Sequence, residues 1–467
     1  MLFSSLTFLF IFLPLTLLIY FISDKKYKNS ILLFFSLIFY SWGEPRYIIL
    51  ILVSIIFNYY FAIFIEKTKS NRRKKEILIL TLIFNVGMLF VFKYLNFFAE
   101  NIANLLNLPS KKLNIILPIG ISFYTFQILS YIIDVYQKKV KVQKNIFNLG
   151  TYILLFPQLI AGPIVRYSTI EEELNSRTHS IEKFCDGFRR FIIGLSKKVI
   201  IANNVALIAD TIFNSAVSNH YGGFILIIGT LAYTFQIYFD FSGYSDMAIG
   251  LGKMFGFEFL ENFNYPYISQ SITDFWRRWH ISLSSFFRDY IYIPLGGNKV
   301  SRLKWIRNIL IVWALTGLWH GAEWNFIIWG IYFALILLVE KLFFNKVLEK
   351  TPKIFRWTYS FILINIGWLI FRVDNVNLLI HVFKNLLVFD NNIFKEFLLT
   401  NFNLINYIPF VIAGFIFSFP IYKFLNEKFQ NNILYIVLND ILIILLFIFS
   451  ICILISNSYN PFIYFRF

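Results

Sequence analysis

Apolar residues run along the chain in long, mostly uncharged stretches, at 2–22, 47–65, 77–98, 115–133, 222–239, 324–339, 355–369, 405–422 and 433–455. At about 1.5 Å per helical residue, each approaches or reaches the roughly 30 Å of a bilayer's hydrocarbon core. Shorter or polar-interrupted candidates lie at 30–42, 145–161, 187–203 and 306–319. The pattern predicts an all-α polytopic membrane protein of about 11 transmembrane helices. One interval, 162–330, breaks the pattern. It holds the densest polar content, with Arg166, Arg177, Arg189, Arg190, Lys197, Lys198, Arg277, Arg278, Arg288 and Arg307 scattered among apolar residues. Irregular polar backbone at membrane depth is tolerated only when buried in protein or lining a wet cavity, so interfacial and re-entrant helices around a reaction chamber are expected there.

Composition agrees with the pattern. Of 467 residues 58% are hydrophobic and 58 are Phe, with mean hydropathy +0.65, far outside the range of soluble globular proteins. Residues 1–22 have no basic residue before the apolar run and no small-residue cleavage site after it, so they read as a first spanning helix that stays. Cys185 and Cys452 are too far apart in sequence and setting for a disulfide framework or a metal site, and read as core residues.

The net charge of +17 does not point to nucleic acid, because the cations cluster at membrane boundaries: DKKYK at 24–28, KTKSNRRKK at 67–75 and QKKVKVQK at 137–144. Positive-inside topology accounts for them and places Met1 outside. Lys341, Lys346, Lys350 and Lys353, then Lys423 and Lys428, put the closing segment outside as well. The expectation is a multi-pass membrane protein, surrounded by lipid, with both termini on the outer face.

Three stretches concentrate chemistry. As one helix, residues 306–339 would reach about 51 Å, but TGLWHGAEWN (316–325) interrupts them with Gly317 and Gly321 and carries His320 and Glu323. A break between two helices is predicted, and an ionisable residue at membrane depth is a functional-site hypothesis by default. In SITDFWRRWHISLSSFFRDYIYIPLGGNK (271–299), helical spacing puts Trp276, His280, Leu283 and Phe287 on one face of an interfacial helix. In YFDFSGYSDMAIGLGKMFG (238–256), Asp240, Ser242, Ser245 and Asp246 edge an apolar helix. Its glycines match neither phosphate-loop spacing, so no nucleotide role follows.

These stretches, with LPIGISFYTFQILSYIIDVY (117–136) and FPQLIAGPIVRY (156–167), resemble the membrane-bound O-acyltransferase family. Within it they are most similar to the branch that O-acetylates bacterial alginate and peptidoglycan. The resemblance runs over nearly the whole chain and implies a single membrane domain over 1–467, with N-terminal helices to 161, a catalytic core at 162–345, C-terminal helices at 346–457 and an outer tail at 458–467. It implies a central funnel through which a cytoplasmic thioester delivers an acyl group to an outer acceptor. The histidine of the family's W-H-G-x-x-W motif falls on His320, and that of R-R-W-H on His280.

The chemistry points the same way, since attack of a hydroxyl on a thioester needs a base, and neutral imidazole suits that at physiological pH. His179, His220 and His381 sit in loop or amphipathic settings. The residues alone leave open whether His280 acts chemically or only orients its helix. Arg277, Arg278 and Arg288 are candidates for the donor's phosphates, and equally ordinary interface anchors; Asp246 and Glu323 read equally as packing or capping groups. Two histidines without clustered cysteines or carboxylates make no metal site. No bound cofactor is expected; acetyl-CoA or an acyl-carrier thioester is the donor substrate.

The chain closes on SYNPFIYFRF (458–467). This tail reads three ways: an aromatic interface anchor, a docking peptide, or an acyl relay through Tyr464. The resemblance supports the relay, since related systems share a C-terminal aromatic motif with a tyrosine. No Ser-His-Asp hydrolase-like domain is present in the sequence, so a separate extracytoplasmic serine O-acetyltransferase is the expected partner, with a polysaccharide as final acceptor. D-alanyl transfer to teichoic acid is the alternative within acyl transfer; a transporter or lipid flippase is the alternative of another class, disfavoured by the lack of a clear second copy of the polar island.

Overall fold

In the computed structural model, the structure describes residues 1–109, 112–160, 162–215, 221–456 and 459–463. His220 and Tyr464 lie outside the described residues. Every regular element among the described residues is helical. Among the described residues seven helices are long and apolar enough to cross a membrane: Ile48–Lys67, Asn71–Leu105, Ile181–Ser215, Gly223–Met254, Trp324–Lys350, Lys353–Arg372 and Ile433–Ser456. An eighth is reached if Asn391–Thr400 and Phe402–Phe417, bent by 87° at Asn401, count as one broken span.

The difference from about 11 has local causes. The apolar run at 115–133 yields only the 16-residue helix Ile121–Tyr136, because Gly120 takes a left-handed conformation (φ +75°) and starts the helix late. A side chain at Gly120 would also meet the carbonyl of Leu159. The first run becomes Phe8–Ile22, shorter than a full span. The run at 145–161 splits at Leu155 into Ile146–Leu154 and Phe156–Leu159.

The chain forms two units, one of residues 1–191 with 247–260 and the other of 192–246 with 261–467. In the first, Phe3, Phe8, Phe12, Phe39 and Phe156 interleave with ring centroids 4.9–6.4 Å apart, the offset and edge-on geometry that aromatic quadrupoles favour. Polar locks fasten its helices. Asn58 and Asn85, both buried, exchange amide hydrogen bonds of 3.0 and 2.8 Å between Ile48–Lys67 and Asn71–Leu89. The Tyr20 hydroxyl lies 2.8 Å from His179 Nε2, receives Arg177 Nε at 2.8 Å and donates to the Phe255 carbonyl at 2.9 Å. Burial, then the positive charges of Lys28 and Arg177, push the His179 imidazole down to about 4. It is therefore a neutral structural partner of Tyr20 at physiological pH.

The second unit is built on a tight helical hairpin, Arg302–His320 against Trp324–Val339, with Lys353–Arg372 packed on the latter. It also joins the facing parts of two long helices through glycine. A Cβ on Gly243 would stand 2.7 Å from the Gly194 carbonyl, so only glycine allows that approach.

Candidate active site

His320 is the last residue of Arg302–His320, and Trp324–Val339 starts after residues 321–323. The predicted break is there, and its tightness has a visible cause. A side chain on Gly317 would overlap the Phe326 carbonyl, one on Gly330 the Trp313 carbonyl, and one on Gly321 the Phe326 ring. Backbone therefore meets backbone across the hairpin. The His320 imidazole is 6% exposed and stands edge-on to three rings: Trp319 at 5.0 Å and 81°, Trp329 at 5.0 Å and 82°, and Phe371 at 5.1 Å and 83°. Glu323 is exposed, at the residue before the second helix.

The segment at 271–287 is not one helix. It breaks into Ile272–Arg278 and Ile281–Phe287, with His280 between them in a left-handed conformation (φ 43°). The face shared by Trp276, His280, Leu283 and Phe287 is therefore lost, because residues 262–264 capture the backbone at the break. Asn264 N donates to the Arg278 carbonyl at 2.9 Å and Ile281 N to the Asn262 carbonyl at 3.0 Å. Asn262 Oδ1 accepts from Ser282 N at 3.0 Å and Ser282 Oγ at 2.9 Å, and lies 3.3 Å from His280 Nδ1. Three donors converging on one amide oxygen assign the proton of neutral His280 to Nδ1. Nε2 then carries the lone pair, buried and without a hydrogen-bond partner among the described residues. Burial pushes this imidazole down to about 3. His280 reaches the His320 cage through Trp319, whose ring is 5.7 Å from His280 and 5.0 Å from His320.

Ile272–Arg278 is held in place by a residue that sequence reasoning missed. Glu340, fully buried at the far end of the hairpin's second helix, accepts from Ile272 N at 2.6 Å, Thr273 N at 2.9 Å and Thr273 Oγ1 at 2.8 Å. A carboxylate on the first-turn amides satisfies orphan donors and complements the helix dipole. Nothing in the local sequence distinguishes Glu340 from the charged flank that follows an apolar run.

The arginine candidates separate. Arg278 pairs with Asp274 at 2.9 Å and Arg288 with Asp289 at 2.7 Å, while Arg277 is exposed. Arg288 borders a cavity of about 270 Å³, together with Lys341 and an aromatic wall of Trp276, Phe287, Tyr292 and Trp313. Thr316, one helical turn before His320, also lines it, and Trp276 contacts Trp329 at 5.5 Å, the ring that flanks His320. The arrangement is an apolar slot with two cations on its border and its wall one ring away from the imidazole. Asp246 pairs with Lys197 at 2.7 Å, which gives it a packing role.

Residues 459–463 of the tail are docked into the second unit, with Phe462 and Ile463 buried at 6% and 5% exposure. An interface anchor would keep such side chains against lipid. Tyr464 lies outside the described residues.

These features can be set beside known proteins. The model of the membrane-bound O-acyltransferase family matches residues 37–382, a stretch that contains both histidines and the hairpin. A protein named "Probable alginate O-acetylase AlgI" from Azotobacter vinelandii is 45% identical over 385 residues, covering 81% of this chain and 76% of that protein. A peptidoglycan O-acetyltransferase of Helicobacter pylori is 39% identical over 422 residues, covering 83% and 80%. A teichoic acid D-alanyltransferase of Bacillus subtilis is 32% identical over 262 residues, covering 53% and 63%. A caged histidine at a helix break, a slot beside it, and a match over most of the length converge: the chain belongs to the membrane-bound O-acyltransferase family and is a multi-pass membrane enzyme that transfers acyl groups.

Proposed function

We propose that this enzyme carries an acetyl group from a cytoplasmic thioester, acetyl-CoA or an acyl-carrier thioester, across a bacterial cytoplasmic membrane for O-acetylation of an extracellular or cell-wall polysaccharide. Both termini face outward, and residues 1–467 act as one membrane domain. The observation that carries the proposal is His320, held in a ring cage at the end of a glycine-locked hairpin beside the Arg288–Lys341 slot. Acetyl is favoured over D-alanyl because the two acetyl-transferring relatives align over 81% and 83% of the chain, and the D-alanyl relative over 53%.

Neutral His320 takes the proton of an acceptor hydroxyl as its oxygen attacks the thioester carbonyl. The new C–O bond forms, the C–S bond breaks, and the departing thiolate recovers the proton from the imidazolium as a thiol. Nε2 of His280, unprotonated and buried, serves as a hydrogen-bond acceptor and takes no proton, since burial holds this imidazole near 3. Arg288, with Arg277 and Arg278 nearby in sequence, supplies positive charge for the donor's phosphates; among the three, Arg288 has the support of the cavity. The acceptor in this step is the Tyr464 phenol. Its aryl ester is more reactive than an alkyl ester and passes the acetyl group to the serine of a separate extracytoplasmic O-acetyltransferase, the serine proton returning to the phenolate.

The test is a deletion strain complemented with wild type or His320→Ala, scored for acetate and D-alanine esters on the envelope. Loss of acetate ester in the deletion and no recovery with His320→Ala is expected. Loss of D-alanine ester with acetate intact would overturn the donor assignment, and full recovery with His320→Ala would overturn the site.

A further inference from the structure

Lys198 and Asp240 form an ion pair of 2.7 Å with both side chains 3% exposed. Neither residue belongs to the His320 cage or the slot. A pair this deeply buried is tolerated only when its remaining protons and lone pairs are also satisfied. Here the chain's own C-terminal segment contributes to that. Lys198 Nζ donates to the Pro461 carbonyl, and Asp240 Oδ2 accepts from Ile463 N at 2.9 Å. The flanking contacts continue the same line. Tyr459 donates to Asp210 Oδ2 at 2.5 Å, Asn203 Nδ2 donates to Asn460 Oδ1 at 3.1 Å, and the Phe462 ring packs on Tyr244 at 5.0 Å. Asp210 is itself tied to Arg372 at 2.9 Å.

The two charges therefore read the peptide backbone at positions two apart, the cation taking a carbonyl and the anion an amide. That pattern distinguishes chain direction, and a slip of one residue would present each charge with the wrong backbone position. The receptor is placed by the glycine contact between Gly194 and Gly243, which brings Lys198 and Asp240 within reach across their two helices.

We propose that the buried Lys198–Asp240 pair is a receptor for the C-terminal peptide, that it fixes the peptide's register through Pro461 and Ile463, and that this register sets the rate of acyl transfer. Lys198 and Asp240 are positioning residues. The proposal rests on the relay reading above only in what the register is for: Ile463 directly precedes Tyr464 in the chain.

The experiment uses full-length protein in lipid nanodiscs with acetyl-CoA, a serine O-acetyltransferase and its polysaccharide acceptor, reading transfer kinetics, intact mass, and carboxypeptidase protection of the tail. Lys198→Met/Asp240→Leu removes both charges together and so leaves no lone charge in the interior. Ile463→Pro removes the amide proton that Asp240 accepts while leaving the receptor untouched; Ile463→Val is its control. Both variants are expected to lose tail protection and to lower kcat by about 100-fold with KM for the donor little changed, as a displacement of about 1 Å at a reacting group does. Lys198→Met/Asp240→Asn, which keeps an acceptor for Ile463 N and likewise leaves no lone charge, should retain part of the tail protection that Lys198→Met/Asp240→Leu loses. A tail as protected in both variants as in wild type overturns the receptor. A released tail with wild-type kcat overturns its positioning role. Failure of the relay shows separately: no acetyl adduct on the wild-type tail by intact mass, in protein whose transfer still depends on Ile463 N.

Discussion

Gly317→Ala is the most direct test of how the hairpin serves the site. Gly317 stands three residues before His320, and a Cβ there would overlap the Phe326 carbonyl and crowd Ile327 Cα, both backbone atoms that no rotamer change can move aside. Restoring an ordinary contact requires the two helices to separate by roughly 1 Å. Overpacking of this kind costs about 1–3 kcal/mol of stability. The larger effect falls on the site, because His320 and Trp329 lie on opposite arms of the hairpin with ring centroids only 5.0 Å apart. A displacement of about 1 Å at a catalytic group costs on the order of 100-fold in rate, which corresponds to about 2.7 kcal/mol in the barrier. Gly87 is the internal control, since an added Cβ there meets nothing within 4 Å; Gly87→Ala should gain up to about 1 kcal/mol from helix propensity. The assay is acetyl transfer by detergent-purified protein alongside a thermal melt. Gly317→Ala should remain folded with kcat reduced about 100-fold, and Gly87→Ala should match wild type in rate. Wild-type kcat in a folded Gly317→Ala protein would refute the claim that backbone contact across the hairpin sets the position of His320.

Other outcomes follow from the same geometry. His320→Gln should leave the melt near wild type and reduce transfer by about 100- to 10,000-fold, the usual contribution of a general base, as read from thiol release. His280→Asn, which tolerates the left-handed backbone, should retain the fold and lose transfer, whereas His280→Ala should also lower the melting temperature; equal transfer by wild type and His280→Asn would assign His280 a purely structural part. Because burial holds His280 near 3 against an ordinary 6.5, the unfolded chain binds a proton that the native site does not. Its contribution to stability is present above about pH 6.5 and is lost as pH falls toward 3, by about 1.4 kcal/mol per unit; a pH series of melts, wild type against His280→Asn, should show the acid-side slope reduced in the variant. Glu340→Ala leaves Ile272 N and Thr273 N without their acceptor and should cost about 1–3 kcal/mol together with a loss of transfer. Tyr464→Phe should abolish the acetyl adduct on the C-terminal peptide, and full activity with no adduct in trapped wild type would remove the relay.

The break that carries the candidate site was legible in the sequence. TGLWHGAEWN announced it through its glycines and put forward His320 as a candidate through the improbability of an ionisable group in such a run, and His320 stands at that break in the structure. The single helix expected from residue 271 up to Pro294 failed for a nonlocal reason. Nothing within the segment opposes helix at His280; Asn262 and Asn264, arriving from another part of the chain, supply hydrogen bonds that make the left-handed break worthwhile. Arg277, Arg278 and Arg288 looked equivalent as a basic cluster, and only their neighbours, Asp274, Asp289 and the slot, set them apart.

That the chain is a helical membrane protein, and which histidines to examine, follow from the residues alone, because hydropathy over some twenty residues and motif chemistry are local properties that no fold is needed to express. In the sequence Lys198 and Asp240 carry no more weight than other charges near apolar helices. Their pairing with each other and with Pro461 and Ile463 joins residues more than 200 positions apart. Tertiary structure alone decided it, since a glycine contact had to bring two helices close enough for a buried charge to find its partner, and burial is what turned that pair into a receptor for the tail.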